Sequence, residues 1–182
     1  MLVNLFVGRK APGFDLPGVS GKNVSLAEFV GAQKAIIVVF TCNHCPYSIA
    51  YEERLDKMQS AYAPKGVAVI RINPDDQSAH PEDSLDEMKK RAVGKGAGFV
   101  YLRDEKGAAA GAYGVKTLPE VFLLDGAGVV RYAGRIDDCW QTHRRVRRHD
   151  LREALEDVLH GRDVAVKVTK PSGCALKISG TD

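Results

Sequence analysis

The feature that most constrains the fold is a short apolar run that leads directly into a Cys-x-x-Cys motif. Ala35–Phe40 reads Ala-Ile-Ile-Val-Val-Phe, which is typical of a strand buried on both faces of a sheet. Cys42 and Cys45 come next. Apolar residues then recur at helical spacing at five positions: Tyr47, Tyr51, Leu55, Met58 and Tyr62. This order of strand, cysteine pair and helix predicts an α/β domain with thiol chemistry at the end of a central strand.

The rest of the chain continues the pattern. It predicts strands at 67–72 and 99–102, helices at 81–93 and 107–113, a hairpin of 121–124 with 129–132, and a last helix from residue 150. A parallel β-α-β half followed by an antiparallel half predicts a three-layer fold, in which helices flank a central mixed sheet. We interpret residues 1–182 as one domain with an N-terminal extension (1–33) and a C-terminal tail (162–182).

Composition excludes several classes of function. The 182 residues carry 26 basic and 23 acidic side chains, a balance that predicts neither nucleic acid nor a membrane surface as partner. The N-terminus lacks the basic start of a signal peptide, and the longest apolar run is too short to cross a bilayer. Four cysteines are too few for a disulfide framework. We therefore expect a cytoplasmic protein in which a close cysteine pair performs redox chemistry or binds metal.

The spacing of the pair predicts how the two thiols divide the work. A cysteine at the N-terminus of a helix meets free N–H groups and the positive end of the dipole, which lower a thiol pKa from about 8.5 into a range of about 3.5–7.5. We expect Cys42 in that position, as the nucleophile. Cys45 would lie one turn inside the helix and resolve the mixed disulfide.

Four neighbouring residues are candidate supporting groups. Asn43 and His44 lie between the cysteines, where the imidazole would stabilise the Cys42 thiolate; the alternative is a solvated loop histidine. Pro119 directly precedes an apolar strand, and we expect a cis Leu118–Pro119 bond placed against the pair. Such a turn would leave the Leu118 backbone free to pair with an extended substrate.

Several motifs together resemble the thioredoxin superfamily, and more narrowly its peroxiredoxin-like redoxins of the AhpC/TSA type. They are Ala11–Leu16, Phe40–Tyr47 with its Cys-Asn-His-Cys-Pro core, Pro81–Ser84, Tyr113–Val115, Pro119, Gly134–Asp138 and Lys170–Cys174. The resemblance implies a thioredoxin-like fold and a redox-active Cys42–Cys45 pair. It implies no cofactor and no metal. The partners that it implies are protein or small-molecule thiols and disulfides, including a thioredoxin or glutathione system.

The resemblance also raises a peroxidase alternative. In peroxiredoxins a threonine lies three residues before the peroxide-attacking cysteine, and an arginine near the later turn polarises the peroxide. Aligned in this way, Cys45 would be peroxidatic, but Cys42 holds the threonine position. The later turn, residues 117–119, has no arginine. Both departures favour a thiol–disulfide oxidoreductase, and a thiol peroxidase using Cys45 or Cys42 is the alternative.

Three questions stay open at this stage. Thioredoxin relatives often carry a buried acid beneath the motif. The strand at 36–40 has none, which leaves Glu52 and Glu53 as distant candidates to accept the Cys45 proton. Cys174 is either a third redox cysteine or an anchor of the tail. A final set would make the chain a zinc-stabilised interaction module: Cys42, Cys45, Cys139 and His143.

Overall fold

The computed structural model describes residues 6–96 and 98–178, which are built around a five-stranded mixed sheet. The strands are β1 Asp15–Pro17, β2 Asn23–Ser25, β3 Ala35–Phe40, β4 Val67–Asn73, β5 Val100–Arg103, β6 Thr117–Leu118, β7 Glu120–Asp125, β8 Val130–Gly134 and β9 Cys174–Ala175. The α-helices are α1 Pro46–Tyr62, α2 Leu85–Ala92, α3 Ala108–Tyr113 and α4 Asp150–Leu159. None of the helices in the described ranges is long and apolar enough to cross a membrane.

The central sheet has the order β5-β4-β3-β7-β8. β3 and β5 run parallel to β4, whereas β7 runs antiparallel to both β3 and β8. This is the parallel half followed by an antiparallel hairpin that the sequence predicts, and the three-layer α/β fold is confirmed.

β3 is buried along its whole length, because both faces of the sheet are covered. Alternate side chains of a strand point to opposite faces. Ile36 and Phe40 therefore join one apolar core with α3, and Ile37 and Val39 join the other with α1 and α4. The strand ends at the carboxyl edge of the parallel half, and this position delivers the cysteine pair to that edge.

Helix α1 begins one residue after the Cys-x-x-Cys motif. Pro46 is its first residue and Cys45 is its N-cap. Proline suits this position because it has no N–H to satisfy and its φ is already helical. The expectation that Cys42 lies at the helix N-terminus, with Cys45 one turn inside, is therefore wrong. Cys42 lies three residues before the cap, in the turn that follows β3.

The helix expected at 81–93 is divided in two. A 3₁₀ turn spans Pro81–Asp83, and α2 then begins under the cap of Ser84, whose Oγ accepts the Glu87 N–H at 3.4 Å. The division matters for the site, because it turns Asp83 into the protein interior, where its side chain is fully buried.

The C-terminal tail packs on the domain along two stretches. Near its start, Thr169 N–H donates to the Ala133 carbonyl at 3.0 Å. Further on, β9 pairs antiparallel with β6, with Cys174 opposite Leu118. Residues 1–5 of the N-terminal extension and 179–182 of the tail lie outside the described residues.

Candidate active site

Cys45 has a fully buried sulfur surrounded by hydrogen-bond donors. Interactions with the Cys42 thiol, the Cys174 thiol and the backbone N–H groups of Ser48 and Cys174 all lower its pKa. Ser48 is the third residue of α1, so its N–H is one of those that a helix leaves unpaired. The Cys42 bond is the largest influence, and it outweighs burial to lower the pKa of Cys45 to about 4.

Cys42 lies in the opposite electrostatic environment. Its side chain is 1 % exposed, and its sulfur lies 3.8 Å from the Ser48 hydroxyl. The hydrogen bond it gives to Cys45, its burial and the negative charge of Asp83 all raise the pKa of Cys42 above the ordinary range. The pKa of Cys42 is thus raised and that of Cys45 lowered, which is opposite in direction to the expectation from the sequence.

His44 lies beside the pair, as expected, but it is held by carboxylates. Its Nδ1 lies 2.5 Å from Asp83 Oδ2 and its Nε2 lies 3.6 Å from Asp75 Oδ2. Its ring also stacks on His80, with centroids 3.5 Å apart and planes inclined by 8°. The alternative of a solvated loop histidine is wrong, because both ring nitrogens face buried acids.

Asp83 connects the loop that carries the cysteines to the sheet. Its Oδ1 accepts the Asn43 backbone N–H at 2.5 Å and the Asn73 side-chain amide at 2.9 Å. Asn43 in turn accepts the Tyr101 hydroxyl at 2.8 Å. Asn43 therefore fixes the conformation between the two cysteines. Asp75 and Asp83, which sequence reasoning missed, come from distant loops that only the fold brings together.

A mixed donor set could hold a metal ion here. One sulfur, one imidazole nitrogen and two carboxylate oxygens lie within 4.8 Å of one another, from Cys42, His44, Asp75 and Asp83. Within residues 6–96 and 98–178 this is the only such group. The zinc set that the sequence left as an alternative, Cys42, Cys45, Cys139 and His143, is not among the metal-competent groups of the described residues. Cys139 lies in a loop tied to α1, where Arg54 donates to its carbonyl at 2.8 Å.

The turn at Leu118–Pro119 has the predicted cis geometry, but the tail strand pairs with it where a substrate strand was expected. The Leu118–Pro119 bond is cis, and the Leu118 carbonyl oxygen lies 3.5 Å from the Cys45 sulfur. The Leu118 backbone is not free, however, because the tail strand occupies it at Cys174. Gly173 makes the approach possible: a Cβ there would lie 1.9 Å from the Leu118 oxygen. The expectation of an open pairing edge is therefore wrong for this structure.

Comparison with known proteins decides the family. Residues 7–133 match the AhpC/TSA family. The chain belongs to this family. A curated relative, the thiol:disulfide interchange protein DsbE of Yersinia pestis, is 30% identical over 78% of this chain and 72% of its own.

Two solved structures extend the comparison. An uncharacterized conserved protein from Geobacillus kaustophilus is 36% identical with a TM-score of 0.88, covering 98% of this chain and 96% of its own. The thioredoxin domain of a thiol-disulfide oxidoreductase from Bacteroides vulgatus is 22% identical with a TM-score of 0.58, covering 69% of this chain and 86% of its own, and shows the fold. The predicted thioredoxin-superfamily redoxin is confirmed, and so is its activity as a thiol–disulfide oxidoreductase.

This AhpC/TSA-family site also contains a buried acid in an unexpected strand. Glu120 follows Pro119, lies opposite Phe40 in the β3–β7 register, and is 2 % exposed. Burial raises its pKa to about 7. From the resemblance, a buried acid was expected in the strand before the cysteines, which has none, and Glu120 lies in a different strand. The available signal was an acid at the head of the apolar strand that follows the proline.

The two acids suggested from the sequence lie elsewhere. Glu52 forms an ion pair with Arg91 at 2.6 Å, and Glu53 forms one with Lys57 at 2.6 Å. The Glu53 side chain is 78% exposed. In this AhpC/TSA-family protein both glutamates are therefore held in surface ion pairs, rather than in the polar groups that surround the sulfurs.

Proposed function

We propose that the chain exchanges disulfides through Cys45 as the attacking thiolate and Cys42 as the resolving thiol. One observation carries this assignment: Cys45, not Cys42, is the N-cap residue of α1, where the free N–H groups and the helix dipole favour a thiolate, and the pKa of Cys45 is lowered to about 4. The order is the reverse of the one that the sequence suggests. It follows from the position of Pro46, which fixes where the helix begins.

The reaction has two exchange steps. The Cys45 thiolate attacks one sulfur of a substrate disulfide, and the other substrate sulfur leaves as a thiolate that takes up a proton from water. Cys42 then attacks the Cys45 sulfur, which forms the Cys42–Cys45 disulfide and releases the second substrate thiol. The pair loses two electrons and the substrate gains them.

Cys42 must lose its proton in the second step. The proton acceptor that the geometry favours is the group formed by His44, Asp75 and Asp83. An imidazole nitrogen and two carboxylate oxygens of this group lie within 4.8 Å of the Cys42 sulfur. Once Cys45 is bonded to substrate it no longer carries a charge. Its thiolate therefore no longer opposes ionisation of Cys42, and the resolving thiol becomes easier to deprotonate.

Trapping experiments test the assignment. Incubation with a peptide disulfide should leave Cys42→Ser/Cys174→Ser covalently bonded to the peptide, since the attacking thiol remains and both thiols that interact with it are gone. Cys45→Ser should not form that adduct at neutral pH. Cys139→Ser is the matched control and should turn over like the parent. A stable adduct on Cys42 in the Cys45→Ser variant, with none on Cys45 in Cys42→Ser/Cys174→Ser, would restore the order suggested by the sequence.

The partners and the compartment remain proposals. Relatives named as thiol:disulfide interchange proteins support protein thiols and disulfides as substrates. We propose a thioredoxin or glutathione system as the source or sink of electrons, and a cytoplasmic location. Reduction of the Cys42–Cys45 disulfide by purified thioredoxin or by glutathione would separate the two systems. Fractionation of the producing cells would test the location.

A peroxidase assay tests the alternative activity. The pKa of Cys45 is lowered to about 4, which also suits a peroxide-attacking thiolate. We expect slower consumption of hydrogen peroxide than of a disulfide substrate. Peroxide turnover faster than disulfide exchange would make the peroxidase the principal activity.

A further inference from the structure

Three thiols, rather than two, meet at the site. Cys42 and Cys45 belong to one buried cluster, Cys174 packs against that cluster, and the Cys174 thiol interacts with Cys45. Cys174 reaches this point because β9 pairs with β6, which sets its backbone opposite Leu118, the residue whose carbonyl contacts the Cys45 sulfur at 3.5 Å. The tail cysteine therefore holds a defined place in the strand register, and it is not a lone surface thiol.

The burial of the three sulfurs differs in a way that bears on access. Cys42 and Cys45 are 1 % and 0 % exposed, whereas Cys174 is only half-buried. Thiol–disulfide exchange requires the incoming sulfur to reach the sulfur that it attacks. A reductant outside the protein can therefore approach Cys174 while the tail stays docked, whereas it reaches the buried pair only when the tail opens.

We propose that Cys174 is a third redox cysteine, which takes the disulfide from the buried pair by bonding to Cys45. This inference rests on the proposed function of the pair. The Cys174 thiolate attacks the Cys45 sulfur of the Cys42–Cys45 disulfide. The Cys45–Cys174 bond forms, the Cys42–Cys45 bond breaks, and Cys42 leaves as a thiolate that accepts the proton Cys174 lost. One disulfide replaces another, so no further oxidant is required.

The transfer also fixes the tail in place. The Cys45–Cys174 disulfide would bond β9 covalently to the helix cap, with Gly173 pressed against the Leu118 carbonyl. An external thiol would then attack the half-buried Cys174 sulfur and free Cys45 as its leaving group. This route would let electrons enter the pair without displacing the tail.

Ionisation of Cys174 should limit the rate of transfer. Burial, and then its contacts with Cys45, raise the pKa of Cys174 to about 12. The contacts with a Cys45 thiolate vanish once Cys45 is in a disulfide, but burial remains. The transfer should therefore accelerate as pH rises from 7 to 9.

Disulfide mapping tests the proposal on the full chain. Trypsin places Cys42 and Cys45 in the peptide 35–54, Cys174 in 168–177 and Cys139 in 136–144. The protein is oxidised with one equivalent of diamide, held for increasing times at pH 8, alkylated and digested. We expect the internal Cys42–Cys45 disulfide first, followed by a cross-link between peptides 35–54 and 168–177. The peptide that contains Cys139 should stay alkylated throughout.

Single-cysteine variants identify the atoms. In Cys42→Ser, diamide should join Cys45 to Cys174, whereas Cys45→Ser should give no link between Cys42 and Cys174. Cys174→Ser should still form the Cys42–Cys45 disulfide but should be reduced at least about tenfold more slowly by glutathione.

Three results would contradict either the role of Cys174 or the proposed function. An internal disulfide with no cross-link, or equal reduction rates for Cys174→Ser and the parent, would overturn the role of Cys174 and leave the proposed function intact. No internal disulfide at all in the parent would overturn the proposed function.

Discussion

The two sulfurs of the pair are three residues apart in sequence, yet they occupy opposite kinds of surroundings. On the Cys42 side, buried acids converge on His44, and a neighbouring negative charge holds the thiol in its protonated form. On the Cys45 side, the Cys42 and Cys174 thiols and backbone N–H groups from α1 and from the tail strand lower the pKa of the thiol. Backbone donors stabilise an anion without adding charge of their own, so the difference places the thiolate on the side that the tail covers.

Two buried acids follow the same division. Asp83, on the Cys42 side, accepts the Asn43 and Asn73 N–H groups and also contacts His44. Glu120, on the proline side, has one oxygen without a hydrogen-bond partner among the described residues. A fully bonded carboxylate stays ionised at little cost, whereas a poorly bonded one is easier to keep protonated. The two sides of the site therefore differ in the hydrogen bonding of their buried acid: Asp83, on the Cys42 side, has several partners, whereas one oxygen of Glu120, on the proline side, has none among the described residues.

The largest effect should come from removing the tail from the Cys45 side. In Gly173→Ala the new Cβ would lie 1.9 Å from the Leu118 oxygen, so β9 cannot stay paired with β6. We expect Cys45 to react with iodoacetamide at least about a hundredfold faster, since a protected group reacts only when its segment opens, and the half-buried Cys174 to gain far less. Peptide-resolved alkylation measures both rates.

A second glycine controls for the substitution itself. Gly111 lies in α3, where an added Cβ meets nothing within 4 Å. Gly111→Ala should leave both alkylation rates unchanged. Far-UV circular dichroism of the Gly173→Ala variant should match the parent. Unchanged protection of Cys45 in a folded Gly173→Ala protein would show that the tail does not guard the thiolate.

Glu120→Gln should give the next largest effect, on stability. Burial raises the pKa of Glu120 from 4.5 to about 7. Because the folded pKa is the higher one, the stability is fully present below pH 4.5 and declines as pH rises through 7. A difference of this size corresponds to about 3 kcal/mol at most. Glu120→Gln should therefore raise the free energy of unfolding at pH 8 by up to about 3 kcal/mol, and far less at pH 4.5.

Urea unfolding at the two pH values measures this change. Glu53→Gln, at an exposed ion pair, is the matched control and should leave the pH dependence as it is in the parent. A pH dependence that survives in Glu120→Gln would assign it to other groups.

Sequence was sufficient for the features that depend on local pattern. The continuous apolar run of β3, the hairpin of β7 and β8 and the cis bond before Pro119 were all predicted, because each depends on neighbouring residues. The start of α1 was also written locally, since Pro46 is best tolerated at the first helical position. The prediction relied on the order of the two cysteines rather than on this proline, and it therefore put Cys42, instead of Cys45, at the N-terminus of α1.

The remaining features depend on contacts between distant parts of the chain. Cys174 meets Leu118 across 56 residues, and nothing near either residue specifies that register. Asp75 and Asp83 reach His44 only because β4 places the loop after it beside the cysteines. No local pattern distinguishes these aspartates from exposed ones, so the polar half of the site required the structure.

Asp83→Asn should shift the balance on the Cys42 side. Removing the negative charge that raises the pKa of Cys42 should lower that pKa by at least about 1. The Cys45→Ser background isolates the effect, because Cys42 is then the reactive thiol of peptide 35–54. The pH dependence of its alkylation gives the pKa. Asp86→Asn, whose side chain is 84% exposed, is the control. No change in Asp83→Asn would show that burial alone keeps Cys42 protonated.

The smallest effect should come from His44→Gln, and it tests how separate the two halves are. The imidazole contacts Asp75 and Asp83, whereas no contact of the Cys45 sulfur described above involves it. Losing the imidazole leaves two buried carboxylates without their shared partner, so Cys42 should become harder to ionise and the resolving step slower. The pKa of Cys45, read from the pH dependence of its alkylation in Cys42→Ser, should move by less than about 0.3. A drop in resolution rate with this pKa unchanged fits two independent halves, whereas a shift of about 1 or more would show that the imidazole acts on the Cys45 thiolate directly.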